Sequence, residues 1–425
     1  MTGAEMRALI ADLYPICRSI TGEGLRETLR RIAKLVPLEI REVPSGTPVL
    51  DWTVPREWNI RDAFVADSSG KRVVDFRASN LHVLNYSTPV RARMPLAELR
   101  PHLHTLPDHP DWVPYRTSYY AEAWGFCAAQ RVVDALTPGD YDVVIDSTLE
   151  PGALSYGELV LPGATADEVL VSCHACHPSL ANDNLSGIAV AVALARGLLA
   201  LPARRFTYRF LFIPGTIGSI TWLATHADVV PRIRHGLVLS CVGDAGGFTY
   251  KRSRRGDAPV DRAVAHALRH VGAPYTLRDF VPYGYDERQY CSPGFDLPVG
   301  CLMRTPNGEY PEYHTSADDL SLVQAGALEG SLALLRSVVA VLEGDGRYLN
   351  LSPEGEPQLG RRGLYGATGG AARLPGFELA LLWVLSFSDG RHSLLDIAER
   401  AGLPFPAIRA AADALAGAKL LGEAP

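Results

Sequence analysis

The stretch Ser-Cys-His-Ala-Cys-His-Pro-Ser-Leu-Ala-Asn-Asp-Asn-Leu-Ser-Gly, residues 172–187, decides the fold because it joins two apolar runs of different character. Before it, the short β-branched run Glu168-Val-Leu-Val-Ser-Cys173 predicts a buried strand. After it, the Ala- and Leu-rich run from Ile188 to about Leu199 predicts a buried helix. We therefore expect the stretch at the carboxyl end of a strand, where α/β sheets place their sites.

Three side chains of this stretch, His174, His177 and Asp183, are of the types that bind zinc. Two or three such ligands at a strand end can hold one ion and leave a position open for water. The alternative is a polar strand–helix loop in which Asn182 or Asp183 caps the helix. The pattern alone favours a metal site over this alternative.

The composition of the chain excludes several classes of protein. With 425 residues, 47% hydrophobic and 21% charged, it is long enough for two or three ordinary globular domains. Its net charge of −6 argues against general binding to nucleic acid or to anionic membranes. The seven scattered cysteines favour reduced thiols over a disulfide framework. Since neither a signal-peptide pattern nor an apolar run of about 18 residues is present, we expect a cytoplasmic protein without a membrane span.

The chain around the quoted stretch divides into regions of different pattern. Residues from about 38 to 163 are rich in proline, aromatic residues and short β-like runs, which predicts an all-β subdomain before the core. Its tryptophans and tyrosines could line a substrate cleft or fill a β-sandwich. From about residue 168 to 344 strands alternate with helices, which predicts an α/β fold with a mostly parallel sheet sandwiched by helices.

Eight elements of this α/β region can be named from the sequence. The strand candidates are residues 169–173, 209–213, 236–241 and 297–302. The helix candidates are residues 188–199, 217–226, 260–271 and 323–342.

The C-terminal region has a third pattern. Residues 345–376 are rich in glycine and proline and predict a linker, and residues 377–421 predict three helices with a helix-turn-helix arrangement. The presumed recognition helix, residues 406–418, carries mainly Arg409 and Asp413 and is nearly neutral. Because a DNA reader needs basic phosphate contacts, we prefer a protein contact such as homo-dimerisation to DNA binding.

Three later stretches add side chains with acid–base or ligand chemistry. Asp244 follows a predicted strand, residues 284–290 combine acidic, basic and amide groups, and residues 312–318 place a histidine between carboxylates. In chain order the candidates are His174, His177, Asp183, Asp244, Asp286, Glu287, Glu312 and His314.

This order of residues resembles the zinc aminopeptidase family, and more closely an aminopeptidase-like branch with an inserted jelly-roll domain and a C-terminal winged helix. The strings that carry the resemblance are residues 18–22, 45–47, 124–127, 176–187, 250–254, 286–290 and 312–316. The resemblance implies a zinc exopeptidase-like core of residues 1–45 and 160–345. It also implies a jelly-roll-like subdomain of residues 46–159 and a winged-helix domain of residues 346–425.

The resemblance also implies a set of metal ligands. Asp183 corresponds to the central or bridging ligand, His314 to the late imidazole ligand, and Asp244 to a later acidic ligand. Either His174, by its position at the strand end, or His177, by its place in the longer string, corresponds to the early histidine. The implied cofactor is one zinc ion, with two ions as the alternative.

One position departs from the family pattern. The family's general-base glutamate, found in this branch within Pro-Glu-Thr-Ile-Gly-Ser, is replaced here by Gly215. The enzyme could therefore be weakened or inactive, or another acid, Glu287 or Glu312, could act as the base. A third interpretation is a different reaction with a single zinc as Lewis acid.

The leading hypothesis is a zinc-dependent, aminopeptidase-like hydrolase of an amide or peptide-like bond in a small molecule or short peptide. By side-chain type, Tyr250, Lys251 and Arg288 are candidates for binding substrate anions. One alternative is a catalytically degenerate protein that binds a ligand or partner through the old cleft. Another is a zinc-dependent enzyme that cleaves C–S or C–N bonds in biosynthesis.

Overall fold

The fold is described on a computed structural model, which describes residues 1–364 and 376–424. The chain forms two compact units, one of Met1–Gly256 with Pro274–Leu332 and one of Asp257–Ala273 with Ala333–Pro425. Residues 365–375 of the predicted linker lie outside the described residues.

The strands are numbered β1 to β19 in chain order. They are Glu39–Pro44 (β1), Pro48–Val49 (β2), Trp52–Thr53 (β3), Glu57–Ala66 (β4), Arg72–Asp75 (β5), Val90–Pro95 (β6), Leu103–His104 (β7), Phe126–Cys127 (β8), Asp140–Glu150 (β9), Ala153–Leu161 (β10), Glu168–His174 (β11), Thr207–Ile213 (β12), Ile233–Leu239 (β13), Phe248–Lys251 (β14), Tyr275–Arg278 (β15), Val299–Met303 (β16), Arg347–Asn350 (β17), Asp389–Ser393 (β18) and Leu421–Glu423 (β19).

The α-helices are numbered α1 to α12 in the same way. They are Gly3–Leu13 (α1), Glu23–Ala33 (α2), Leu96–Leu99 (α3), Gln130–Asp134 (α4), Gly187–Leu199 (α5), Ile217–Thr225 (α6), Pro259–His270 (α7), Glu287–Tyr290 (α8), Ala325–Gly344 (α9), Phe377–Phe387 (α10), Leu394–Ala401 (α11) and Phe405–Gly417 (α12).

A mixed eight-stranded sheet organises the first unit, in the order β1-β10-β12-β11-β13-β16-β14-β15. Its centre, β12-β11-β13-β16, is parallel, whereas β1, β10 and β14 run antiparallel to their inner neighbours. Every residue of β11 is buried, as expected for a strand with parallel neighbours on both sides. The predicted α/β fold is confirmed, but the sheet, which was expected to be mostly parallel, is mixed: its parallel pairs are confined to its centre and the β14–β15 pair.

All four strands and four helices predicted between residues 168 and 344 are present with ends shifted by a few residues. The helix that leaves the quoted stretch, α5, is buried over almost its whole length. The sequence reasoning missed β14, β15 and α8, because each is only four residues long and shows no hydrophobic period.

The insertion after β1 forms a four-stranded antiparallel sheet, β5-β4-β9-β6, with two further two-stranded pairs. A jelly roll requires two packed sheets with eight strands in all. The described residues of the insertion do not form that arrangement, so the expected jelly roll is not confirmed. The expected boundary at residue 159 falls inside β10, which pairs with β1 and β12 of the main sheet.

The second unit contains a three-stranded sheet, β18-β17-β19, together with α10, α11 and α12. The region that was predicted to be a linker contains a strand, β17. The helix that was predicted as the recognition helix corresponds to α12. The unit also includes α7, which was expected in the α/β core. Arg262 on α7 donates to Asp396 on α11 at 2.7 Å and also contacts Glu399, a pairing across more than a hundred residues that local sequence patterns do not reveal.

One helix, α9, is long and apolar enough to cross a membrane when judged by length and composition alone. Of the most apolar 18 residues of this helix, 50% are buried inside the protein. Core helices of water-soluble proteins have the same properties, so α9 is weak support for a membrane span.

Candidate metal centre

The candidate site lies where β11 ends. His174 is the last residue of that strand, and the chain then makes an irregular helical turn, Ala181–Ser186, before α5 begins. This turn carries Asp183, which has no solvent exposure, into the space above the strand end. The quoted stretch thus builds a strand–loop–helix junction, as its two apolar runs predict.

Three imidazoles surround the carboxylate of Asp183. The Nε2 atom of His174 lies 2.7 Å from Oδ1, the Nδ1 atom of His177 lies 3.1 Å from Oδ2, and the Nε2 atom of His314 lies 3.0 Å from Oδ2. The ligand atoms of His174, His177 and Asp183 all lie within 4.8 Å of one another. The structure therefore brings together both early histidines, between which the sequence could not choose, with the central aspartate and the late histidine.

The electrostatics keep this carboxylate ionised. Burial opposes the charge on Asp183, but the neighbouring His177 and His174 outweigh it and hold the pKa of the carboxyl well below its ordinary value. Burial lowers the pKa of His314, against the attraction of Asp183, which favours the neutral imidazole. A deprotonated carboxylate and a neutral imidazole are the forms that bind metals.

Two tyrosines complete the surroundings of the carboxylate. The hydroxyl of Tyr285 donates to Oδ2 of Asp183 at 2.7 Å, and the hydroxyl of Tyr313 lies 2.7 Å from that of Tyr285. The ring of Tyr285 stacks on His174 at 4.0 Å between centroids. Sequence reasoning missed both tyrosines, although each directly precedes a candidate residue, Asp286 or His314.

A second aspartate holds in place the loop that carries Asp183, residues 175–186, which we call the metal loop. Asp318 accepts hydrogen bonds from the backbone amides of Asn182 at 2.6 Å and Asp183 at 3.0 Å. Burial raises its pKa to about 7, against these hydrogen bonds. Sequence reasoning treated Asp318 only as one carboxylate flanking His314, because a contact between distant loops leaves no local signal.

The insertion forms one wall of the site. The backbone amide of Tyr115 donates to the carbonyl of His314 at 2.7 Å, and that of Val113 donates to the hydroxyl of Ser316 at 3.0 Å. The hydroxyl of Tyr119 donates to the carbonyl of Gly215 at 2.8 Å. Of the two interpretations of the aromatic residues, these contacts favour the cleft for Tyr115 and Tyr119.

Gly215 lies between β12 and α6, beside the first histidine. A Cβ atom at this position would stand 3.2 Å from Cβ of His174 and 3.6 Å from Oδ1 of Asp286. Asp286 is fully buried, accepts a hydrogen bond from Ser219 at 2.9 Å, and has no hydrogen-bond partner for Oδ2 among the described residues. The position that the family fills with a glutamate thus borders both the candidate metal site and a buried carboxyl.

Asp244, expected as a metal ligand, is engaged elsewhere. Its Oδ1 accepts from the hydroxyl of Thr305 at 2.7 Å and from the amide of Gly246 at 2.7 Å, and its Oδ2 accepts from the side chain of Asn182 at 3.1 Å. It therefore braces the loop after β13 and is not one of the grouped ligand atoms. Side-chain oxygens that follow a strand often accept hydrogen bonds from the backbone of their own loop, as Asp244 does from Gly246.

Three further candidates are buried: Tyr250 and Lys251, which were expected to bind substrate, and Glu287, which was expected as an alternative base. Tyr250 is fully buried in β14, where its hydroxyl occupies the space beside Gly300. Lys251 forms an ion pair with Glu287, which has no solvent exposure. Each charge of this pair therefore has the other as its partner.

Two candidates remain, Glu312 and Arg288, and neither is among the grouped ligand atoms. Glu312 and Arg288 are half-buried. Glu312 is two residues before His314, and its carboxylate is not one of the grouped ligand atoms. Arg288 lies on α8, and its Nε atom is buried without a hydrogen-bond partner in the described part of the chain.

Comparison with known proteins finds chains that are similar to this one over almost their whole length. A Clostridium acetobutylicum protein, provisionally named a polysaccharide biosynthesis protein with an aminopeptidase-like domain, is 51% identical over 420 residues, covering 99% of this chain and 96% of its own. A crystal structure provisionally described as a peptidase from the same organism has a TM-score of 0.94 at 50% identity, with 99% and 96% coverage.

More distant structures share the fold alone. The zinc aminopeptidase of Bacillus subtilis has a TM-score of 0.59 at 14% identity and covers 80% of this chain and 95% of its own. A winged helix-turn-helix profile matches residues 346–423, which confirms the C-terminal prediction. The profile of a domain of unknown function, DUF4910, matches residues 7–345, well over half of the chain, and the protein therefore belongs to the DUF4910 family.

Proposed function

We propose that the protein is a zinc-dependent hydrolase of an amide or peptide-like bond in a small molecule or short peptide. One observation carries the proposal: the ligand atoms of His174, His177 and Asp183 lie within 4.8 Å of one another at the carboxyl end of β11. Two imidazoles and a carboxylate fit zinc, and three protein ligands are the number that leaves a catalytic ion one open position.

The proposal is for one ion. Asp244 is occupied by hydrogen bonds, and residue 215 carries no carboxylate. A second ion would therefore have only His314 and Oδ2 of Asp183 as protein ligands, fewer than zinc sites use. In this proposal His314 orients Asp183 through their hydrogen bond, and its ring contacts the substrate.

Zinc bound by these residues would act as a Lewis acid that polarises a carbonyl and acidifies a water molecule. The chain itself contributes the orientation of the groups around the reacting bond. The hydroxyl of Tyr285 donates to Oδ2 of Asp183 and is itself in contact with the hydroxyl of Tyr313, and Asp318 fixes the backbone of the same loop. Because these groups are already hydrogen-bonded, little reorganisation is needed when a substrate binds.

The second candidate function is a ligand-binding protein without turnover. Gly215 favours this candidate, because it removes the general base that the resemblance implies. Loss of a general base typically reduces the rate by about 10²–10⁴-fold, so a zinc site without this base can still hydrolyse a substrate slowly.

The test is hydrolysis of an amide panel by the zinc-loaded chain. The panel contains aminoacyl amides, dipeptides and N-acyl amino sugars, the last because of the name of the Clostridium acetobutylicum relative. We expect turnover that disappears on chelation, returns with zinc, and is absent in His177→Ala. Saturable binding of one compound to fully zinc-loaded protein without turnover of any would overturn the proposal in favour of the second candidate.

A further inference from the structure

A cavity of about 760 Å³ opens beside the candidate metal centre. Tyr115 and His314 line the side nearest the centre. Three basic residues of the insertion, His102, His104 and Arg116, also line it. The cavity therefore extends from His314, beside the candidate metal centre, to a basic part of the insertion.

The side of the cavity next to the metal loop is built by direct contacts. The ring of Tyr115 meets that of His314 edge-on at 5.0 Å between centroids, and Tyr115 lies at 5.1 Å from the ring of His177. The isolated β-bridge between Pro114 and Thr315 fixes the two chain segments side by side. The cavity therefore lies next to the candidate metal centre.

The basic groups of the cavity lack anionic partners. Among the residues that the structure describes, Arg116 forms no ion pair and the ring of His104 has no hydrogen bond. The Nδ1 atom of His102 donates to the carbonyl of Trp124 at 3.1 Å, which leaves Nε2 free for another partner. Trp124 also stacks on His102 at 3.5 Å between centroids and so fixes the ring.

The lining contains one carboxylate, that of Glu122, which forms an ion pair with Arg56. Since this carboxylate is already paired, the guanidinium of Arg116 remains available to an anion, and the imidazoles of His102 and His104 can add N–H donors. Burial lowers the pKa of His104, and the neighbouring Arg116 and His102 lower it further. A bound anion would relieve this repulsion.

We infer that this cavity binds an anionic group of the substrate, a carboxylate or a phosphate, through Arg116, His102 and His104. The planar fork of an arginine matches both oxyanions with paired hydrogen bonds. The assignment to the substrate rests on the proposed function, whereas the anion site itself does not.

The binding test uses inorganic phosphate and acetate as probes. Each is titrated into zinc-loaded wild type, Arg116→Gln, and the control Arg91→Gln, which changes an exposed arginine on β6 outside the cavity. We expect Arg116→Gln to weaken binding by about tenfold or more, the usual effect of losing a charge-assisted hydrogen bond, with unchanged zinc content. The probe that binds wild type more tightly identifies the class of anion.

Asp183→Asn separates this site from binding at the zinc ion. Zinc-free Asp183→Asn should bind the probe as tightly as wild type. Equal affinities in wild type, Arg116→Gln and Arg91→Gln, or no binding of either probe to wild type, would overturn the inference.

Kinetics then connects the site to turnover. For a hydrolysed amide that carries the anionic group, Arg116→Gln should raise KM about tenfold with little change in kcat, and it should leave a neutral analogue unaffected. Phosphate or acetate binding that depends on Arg116, without turnover of any amide, would remove the proposed hydrolase and leave the anion site in place. Turnover that is indifferent to Arg116 for both amides would remove the anion site from the reaction.

Discussion

The Nε2 atom of His314 lies 3.0 Å from the Oδ2 atom of Asp183, although 131 residues separate the two along the chain. The loop that carries His314 also carries Asp318, which accepts hydrogen bonds from the amides of Asn182 and Asp183. Each loop therefore fixes the other at the edge of the central sheet. A metal ion would bind a carboxylate already held in place from both sides.

The first prediction concerns which side chains hold zinc. Replacing His174, His177 or Asp183 by alanine should lower the zinc content from about one ion per chain to near zero, because three protein ligands are the minimum for a stable site. His314→Ala should retain zinc and lose activity. The measurement is metal analysis after dialysis against a weak chelator.

Asp244→Asn is the matched control for these variants. It removes a nearby carboxylate, on the loop after β13, whose partners include Asn182 and Thr305. We expect full zinc content and reduced thermal stability. Loss of zinc in Asp244→Asn with full zinc in His177→Ala would contradict the ligand set.

The second prediction concerns the ion pair between Lys251 and Glu287. Because Glu287 has no solvent exposure, Glu287→Gln would leave the ammonium of Lys251 without its counter-ion. We expect the variant to lose about 3–5 kcal/mol of unfolding free energy, the usual cost of breaking a buried ion pair. Denaturant unfolding measures this loss.

The double variant Lys251→Met with Glu287→Gln provides the control for that experiment. It removes both charges and should recover part of the stability, because no buried charge is left unpaired. If Glu287→Gln kept full stability but abolished hydrolysis, Glu287 would be the general base after all.

Local patterns were sufficient to predict the central part of the fold. The apolar runs on both sides of residues 172–187 specify β11 and α5, because a strand and a helix buried on all sides have continuous apolar sequences. The expected boundary at residue 159 falls inside β10, because this strand pairs with β1 and β12, which are distant in sequence. The grouping of α7 with the second unit likewise depends on residues that are distant in sequence.

The residues that meet at the candidate site were predictable from the sequence, and those that surround them were less so. His174, His177, Asp183 and His314 were found by residue type and by order along the chain. The contacts of Tyr285 and Asp318 depend on loops that meet only in the folded chain, so no spacing rule could identify them. Conversely, Tyr250 and Lys251 have polar groups that suggest a binding role, but the fold buries both.

The third prediction concerns the pH dependence of stability. Burial, reinforced by the nearby Glu287 and opposed by hydrogen bonding to Ser219 and the charge of Arg288, raises the pKa of Asp286 from 3.8 to about 7. The native state therefore binds more protons than the unfolded state between these values. The contribution of Asp286 to the free energy of unfolding is therefore fully present below about pH 4. It declines as the pH rises towards 7, by about 1.4 kcal/mol per pH unit at most.

Asp286→Asn should lack this decline, because the amide does not titrate. Unfolding free energies of wild type and variant, measured from pH 4 to pH 8, should converge or cross as the wild type loses stability. The exposed Asp108→Asn serves as control and should follow the wild-type curve. Parallel curves for wild type and Asp286→Asn would show that Asp286 is ionised throughout this range.

The fourth prediction concerns the missing carboxylate at residue 215. Gly215→Glu would place a carboxyl beside His174 and Asp286, where the neighbouring charge raises its pKa towards the working pH of a general base. If hydrolysis is slow for want of a base, the variant should increase kcat by about 10²-fold or more.

Gly215→Ala separates the added carboxyl from the added Cβ atom. The Cβ atom alone stands 3.2 Å from Cβ of His174, so the histidine must shift by a few tenths of an ångström in either variant. We expect Gly215→Ala to leave kcat unchanged or slightly lower, with the same zinc content as Gly215→Glu. Equal rates in the two variants would show that the reaction does not need a base at this position, because the only difference between them is the carboxyl group and its methylene.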